Sequence, residues 1–245
     1  MKLLSYVERV IDLTEWRELR LSKQSCPLCQ FPYLVKLGSS AHAIRCMHCG
    51  ANPTVMSLVK VLLSCVPDLA TKSVYELSSR GPLFRFLKSH AGKLTFSEYF
   101  DDVAPGDEKK KVQCQDVQNL TFPDQSFDVC TSTDVFEHVP EDAKGFSEIY
   151  RVLRPGGCTV FTVPLHHNQK TIERAKVHNG HIAHLLSPEY HGDHIRGLNQ
   201  VLCFRNYGTD IVDRLCAQGF TNAEIITPDT SLWWGCGRNV VIAYR

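Results

Sequence analysis

The 245 residues are 43% hydrophobic and 22% charged, enough for one medium core with a small attachment. The formal net charge is +1, and the densest cationic cluster is Lys109, Lys110 and Lys111, so the basic stripe expected of a phosphate-tracking nucleic-acid binder is missing. Residues 1–9 carry charges too early for a secretory core, and no apolar run approaches membrane-spanning length, which points to a cytoplasmic protein with reduced thiols.

In chain order, Leu3, Leu4, Val7, Val10, Ile11, Trp16 and Leu19 recur at helical spacing, predicting an amphipathic helix in a leading segment, residues 1–22. Residues 23–51 follow with two Cys-x-x-Cys pairs, Cys26 with Cys29 and Cys46 with Cys49, sixteen residues apart. That spacing suits a tetrahedral zinc ion, and the intervening stretch reads as two short strands joined by a turn: a zinc ribbon. Four cysteines close the coordination sphere, so the expected Zn²⁺ is structural. The other seven cysteines are scattered, mostly among apolar neighbours, and read as small buried hydrophobes.

Residues 52–245 form the main domain. Asn52 and Pro53 supply a cap and first-turn proline for a helix to about residue 64. Strand-like runs then fall at 73–77, 93–97, 111–115, 127–132 and 158–163, with helices from 82 and over 142–154, the latter closed by Pro155, Gly156 and Gly157. A helix over 207–218 precedes two closing strands at 223–227 and 239–244. Such alternation predicts an α/β fold with a mostly parallel sheet covered on both faces. Residues 166–206 fit no element and hold seven of the eleven histidines.

Ligands of open parallel sheets bind beyond the carboxyl ends of the strands. After the first of these strands come Glu76, Leu77, Ser78 and Gly81, a small-residue turn opening a helix. Glu98 follows the second strand, suited to accept from two ribose hydroxyls; Asp116 and Val117 follow the third, with Asp116 suited to an adenine amino group. Thr133 and Asp134 follow the fourth. This series describes a nucleoside-containing cofactor.

Here the chain resembles a known family. The run from Asp116 to Asp128 (Leu-x-Phe-x-Asp-x-Ser-Phe-Asp), the Val-Phe-Glu-His-Val stretch at 135–139, and the Arg-Val-Leu-x-Pro-Gly-Gly turn ending at Gly157 resemble class I S-adenosylmethionine-dependent methyltransferases, of the methyltransferase type 11 kind. The likeness covers residues 73–165. It implies a Rossmann-like seven-stranded sheet, S-adenosyl-L-methionine as cofactor, and in-line methyl transfer to an acceptor under the 166–206 insertion. One departure stands out: the family's first loop is rich in glycine, and here Gly81 alone remains, with Ser78, Ser79 and Arg80 before it.

Imidazoles titrate near neutrality, so the insertion supplies candidate bases: His166 and His191, with Tyr190 to orient the acceptor. Arg174, His167 and Glu189 are candidate acceptor contacts, Arg174 for an anionic group. A second metal site from His181, His184, His191 and Asp193 is chemically possible, and His138 reads as a hydrogen-bonding residue beside the cofactor. Three functions compete: methyl transfer to oxygen or nitrogen of a small molecule such as a sugar or secondary metabolite; rRNA or tRNA base methylation with the ribbon docking RNA; and a non-catalytic ribbon protein with a vestigial cofactor site.

Overall fold

The computed structural model describes residues 16–166, 168–192, 201–235 and 239–245. Residues 1–15 of the expected leading helix, His167, Asp193, His194 and Cys236 lie outside them; the described end of that segment is a single 3-10 turn, Trp16–Glu18, running into a strand rather than a continuing helix. Strands β1 (Arg20–Ser22), β2 (Leu34–Lys36) and β3 (Ile44–Cys46) pair antiparallel in that order. The expected hairpin is therefore present, with a third strand added from the segment before the first cysteine. Helix α1 (Pro53–Cys65) starts where Asn52 Oδ1 accepts from the Val55 amide at 3.0 Å. It buries Val55, Met56, Leu58, Val59 and Leu62, which share one packed cluster with Leu34, Ile44 and Ala51 of the ribbon.

The sheet is built from β4 (Ser73–Glu76), β5 (Lys93–Glu98), β6 (Glu108–Lys109), β7 (Val112–Cys114), β8 (Phe127–Thr133), β9 (Leu153–Thr162), and two late strands, β16 (Asn222–Ile226) and β17 (Val240–Tyr244). Its order is β16-β17-β9-β8-β4-β5-β7-β6. The five strands β7, β5, β4, β8 and β9 run parallel, while β17 is antiparallel to both β9 and β16. The sheet thus has eight strands rather than the expected seven. The extra one, β6, turns back onto β7 through Lys110 and Lys111, whose φ angles are 54° and 66°. Two left-handed residues make the tight hairpin turn that the sequence normally signals with Asn-Gly, so a lysine pair concealed it.

Helices α2 (Gly81–His90), α3 (Asp142–Val152) and α4 (Ile211–Cys216) complete the frame. Leu83 and Leu87 of α2 pack in the cluster of α1, whereas Phe146, Ile149, Ile211 and Leu215 of α3 and α4 belong to a second cluster. Helix α4 is shorter than the expected 207–218. Tyr207 is buried with its hydroxyl on Asp142 Oδ2 at 2.9 Å, and Asp210 Oδ1 accepts from Thr171 N and Oγ1, which fixes the preceding chain outside the helix.

The two motifs that carry the family resemblance hold each other. Arg151 of α3 donates to the carbonyls of Leu120 and Phe122, both at 2.9 Å, and to Asp124 Oδ1 at 2.7 Å. Glu148 accepts from the Leu120 amide at 2.7 Å and braces Arg151. Gly157 is fixed by sterics, since a Cβ there would stand 2.7 Å from the Asp128 carbonyl oxygen.

Residues 166–206, unassigned from sequence, form three short antiparallel ladders. They are β10 (Ile172–Glu173) with β15 (Arg205–Asn206), β11 (Ala175–His178) with β12 (His181–His184), and β13 (Tyr190–His191) with β14 (Val201–Leu202). The insertion is anchored by Arg205, 2% exposed. Its guanidinium donates to the carbonyls of Phe136, Val139 and Pro140 at 3.0, 2.6 and 2.7 Å, and pairs with Glu173 at 3.3 Å. Removing one partner of such a buried ionic network leaves the others desolvated. Arg205→Ala should therefore lose about 3–5 kcal/mol of unfolding free energy, read as a lower midpoint in urea denaturation. A loss under about 1 kcal/mol would show that the network is not what anchors the insertion.

Candidate functional site

Chain order runs from β4 outward through β5 to β7, then returns to β8 and continues outward through β9. The strand direction of progress reverses between β4 and β8, the place at which open α/β sheets bind ligands beyond the carboxyl ends of their strands. Glu76 closes β4, 1% exposed, and its Oε2 accepts from Thr131 Oγ1 of β8. Burial pushes the Glu76 carboxyl up to about 8, the Thr131 hydroxyl opposing and the neighbouring Glu98 charge adding.

Glu98 closes β5, 7% exposed. Its Oε1 accepts from Ser79 N at 2.6 Å, Ser79 Oγ at 2.8 Å and Ser78 Oγ at 3.2 Å. Burial raises its carboxyl too, while the serine donors hold it down. No described donor reaches Oε2. The loop that lacks glycine is thus folded onto the strand-end acid by its own serines. Gly81, at φ +87°, turns this loop into α2.

The remaining expected cofactor residues occupy the same edge with different degrees of freedom. Leu77 is half-buried and bonded through its amide to Thr131 O. Asp116 accepts from Gln118 N at 2.9 Å and Gln118 Nε2 at 3.1 Å, closing its own turn. Val117 is buried against Phe136 and Phe146, as a core residue. Thr133 ends β8, and Asp134, at φ +50°, accepts from Thr162 Oγ1 at 2.9 Å. A cavity of about 360 Å³ lies elsewhere, between α1 and residues 226–234, with Ser57, Lys60 and Trp234 on its walls.

On the acceptor side the expected residues are only partly brought together. His166 is exposed, and its amide bonds Tyr207 O at 2.9 Å. Tyr190 is also exposed. Arg174 is already engaged, with Nε 3.3 Å from Glu189 Oε2 and a 2.7 Å bond to Ser187 O, so it does not stand open to an anion. His191 lies among Glu137, Glu189 and Cys203, with Nδ1 3.8 Å from Glu137 Oε1 and Nε2 3.4 Å from Glu189 Oε1. His138 bonds Leu202 O through Nδ1 at 2.9 Å, as a hydrogen-bonding residue should. His181 and His184 lie exposed on β12 and join no metal-capable cluster among the described residues; Asp193, the fourth member of the possible second metal set, lies outside them. Glu137 and Cys203 carried no signal of their own: one sits inside a family motif, the other reads as one more buried hydrophobe.

The four ribbon cysteines do converge. Cys26 and Cys49 sulfurs are 3.6 Å apart, Cys29 and Cys46 3.5 Å, and all four fall within 4.8 Å of one another. Tetrahedral Zn–S bonds of about 2.3 Å set sulfurs about 3.8 Å apart, so the cluster is compatible with zinc. The close contact between Cys26 and Cys49 lets one of the pair ionise before the other, pushing Cys26 up and holding Cys49 down. Gln30 (φ +59°) and Gly50 (φ +73°) make the left-handed turns that close the two knuckles.

Known proteins resemble this chain in fold and in part of its sequence. Residues 78–161 match the methyltransferase domain family. An S-adenosylmethionine dependent methyltransferase from Mesorhizobium loti shares the fold, with a TM-score of 0.50 at 16% identity, covering 77% of this chain and 98% of that one. Phosphoethanolamine N-methyltransferase 2 of Caenorhabditis elegans is 39% identical over 57 residues, 23% of this chain and 13% of that protein. The 24-methylenesterol C-methyltransferase 2 of Arabidopsis thaliana is 26% identical over 168 residues, 63% of this chain and 43% of its own length. The chain therefore spans less than half of these two curated relatives. Among the described residues no helix is long and apolar enough to cross a membrane.

An acid whose folded value is raised from 4.5 to about 8 favours the fold while protonated. That contribution is complete below pH 4.5 and is lost as pH rises through 8. In the ligand-free protein, Glu76→Gln keeps an acceptor for Thr131 and removes the titration. Its thermal midpoint should exceed that of the unaltered chain by more than about 2 °C at pH 8.5, with the gap closing near pH 5. Parallel pH profiles would show that Glu76 does not titrate in this window.

Proposed function

We propose that this chain is an S-adenosylmethionine-dependent methyltransferase acting on an oxygen or nitrogen of a small-molecule acceptor. The observation that carries the reading is the pair of buried carboxylates, Glu76 and Glu98, on adjacent strand ends at the switch point. They flank a loop that lies within the matched methyltransferase domain. Glu98 Oε2, which no described donor reaches, is where a ribose diol would donate. Glu76, starved of solvent, would gain its charge beside the cofactor's ammonium group. Asp116, released from Gln118, would accept from the adenine amino group, with Leu77, Ser78, Gly81, Val117, Thr133 and Asp134 forming the walls.

The cofactor supplies an electrophilic methyl group, so the chain's task is alignment and exclusion of water. Where the acceptor must lose a proton, His166, directly after β9, is the exposed imidazole at this edge, with Tyr190 to orient the acceptor. His191 is not used for this, because both its ring nitrogens already face carboxylates. A small-molecule acceptor is supported by the relatives' own names, a phosphoethanolamine and a methylenesterol enzyme, and by a net charge of +1 without a basic stripe.

The ribbon's role in this reading is structural. Its cysteines leave no position for water, and its apolar residues pack under α1. Arg85 of α2 donates to Cys49 O at 2.7 Å and Gln24 accepts from the Trp233 amide at 2.8 Å, so the ribbon is tied to both ends of the domain.

Two outcomes check these assignments. Calorimetric titration with S-adenosylhomocysteine should give a saturable site, and Glu98→Ala should weaken it by more than about tenfold, as expected for a lost charge-assisted hydrogen bond. Unchanged affinity would take Glu98 out of the site. Cys46→Ser should remove one bound zinc per chain and lower the thermal midpoint; a metal content unaffected by that change would sink the zinc assignment.

A further inference from the structure

A second cluster of ligand-type side chains forms where the insertion meets the turn after β8. Cys203 Sγ stands 3.3 Å from His191 Nε2 and 3.9 Å from His138 Nδ1. Glu189 Oε1 lies 3.4 Å from the same His191 nitrogen. For Zn–N of about 2.0–2.1 Å and Zn–S of about 2.3 Å, tetrahedral donors sit about 3.4–3.6 Å apart. The three residues Cys203, His138 and His191 each offer a donor atom within 4.8 Å of the others.

The far sides of the two rings add an independent observation. Glu137 is 1% exposed, and its Oε1 lies 3.8 Å from His191 Nδ1 and 3.7 Å from His138 Nε2. A ligating imidazole characteristically presents its other N–H to a carboxylate, which fixes the ring and the tautomer. Here one buried carboxylate serves two imidazoles whose opposite nitrogens converge on one thiol.

We propose that Cys203, His138 and His191 bind a zinc-class divalent cation, with the fourth position taken by water or a further donor. One thiolate and two imidazoles suit a borderline-soft ion with tetrahedral geometry, and a calcium or magnesium ion would reject the sulfur. Binding displaces the thiol proton of Cys203 to solvent. It also requires His138 to give up the Nδ1–H bond to Leu202 O at 2.9 Å, the proton moving to Nε2 on the Glu137 side and the ring turning so that Nδ1 faces the ion.

The backbone is already set for this arrangement. Cys203 N donates to Glu189 O at 2.8 Å, and Phe204 N to Glu137 O at 2.8 Å, holding three of the participating residues in register. His138 comes from the main sheet's edge, whereas His191, Cys203 and Glu189 come from the insertion. The ion would therefore staple the insertion across the carboxyl ends of the strands, at a site distinct from the ribbon. The argument stands on this cluster alone and does not use the methyl-transfer reading.

The test is the metal content of the full chain, purified without chelator and measured by elemental mass spectrometry. The expected result is about two zinc ions per chain. Cys203→Ala and His191→Gln should each lose one while keeping the ribbon's ion, and Cys46→Ser should lose the other. If the ribbon binds no zinc, the unaltered chain holds one ion and Cys203→Ala none. A single ion that both Cys203→Ala and His191→Gln retain and Cys46→Ser removes would overturn the proposal, as would a metal-free chain.

Discussion

The hydrogen bonds from Ser78 and Ser79 to Glu98 organise the whole carboxyl edge of the sheet. A glycine loop would leave that acid exposed to a ligand; this loop carries hydroxyls instead and satisfies one carboxylate oxygen internally. The second oxygen has no described donor and stays available to a ligand. Glu76 next to it is held by a single described hydroxyl, that of Thr131. Burying two acids one strand apart costs stability unless a cationic or hydrogen-bonding partner arrives. That cost is the physical reason to read the edge as a binding site rather than as packing.

The rest of the fold serves to hold this edge still. On one face, α1 and the ribbon share a single apolar cluster, so the cysteine-bearing hairpin contributes core residues to the sheet it leans on. On the other, Asp142 gathers Tyr207, Arg205 and Arg214, linking α3, α4 and the insertion. The 166–206 segment is consequently not a loose excursion. It is pinned at β15 by Arg205 and meets the sheet edge at the cluster around Cys203.

Much of this was legible in the residues. The Asn52–Pro53 start of α1, the five parallel strands and the cysteine spacing each follow from local rules that tertiary packing did not override. Strand β6 was hidden because Lys110 and Lys111 adopt a left-handed turn that lysine rarely takes. The hairpin β11–β12 did carry a signal, Asn179–Gly180 between Val177 and Ile182, at φ 51° and 76°. It was obscured by the polar, histidine-rich flanks, which broke the alternation. Two-residue ladders such as β13–β14 have no pattern to read. Cys203 and Glu137 could not be singled out either, since their meaning comes from residues 65 positions apart being brought together. Arg174 was misread for the same reason: nothing local announces that Glu189 and the Ser187 carbonyl consume its guanidinium.

The most direct measurement is a crystal structure of the chain with S-adenosylhomocysteine bound. The account predicts the ribose hydroxyls on Glu98, the amino group beside Glu76, and the sulfur turned toward the insertion. A nucleoside found away from β4 and β5, or a Glu98 that still meets only its own serines, would contradict it.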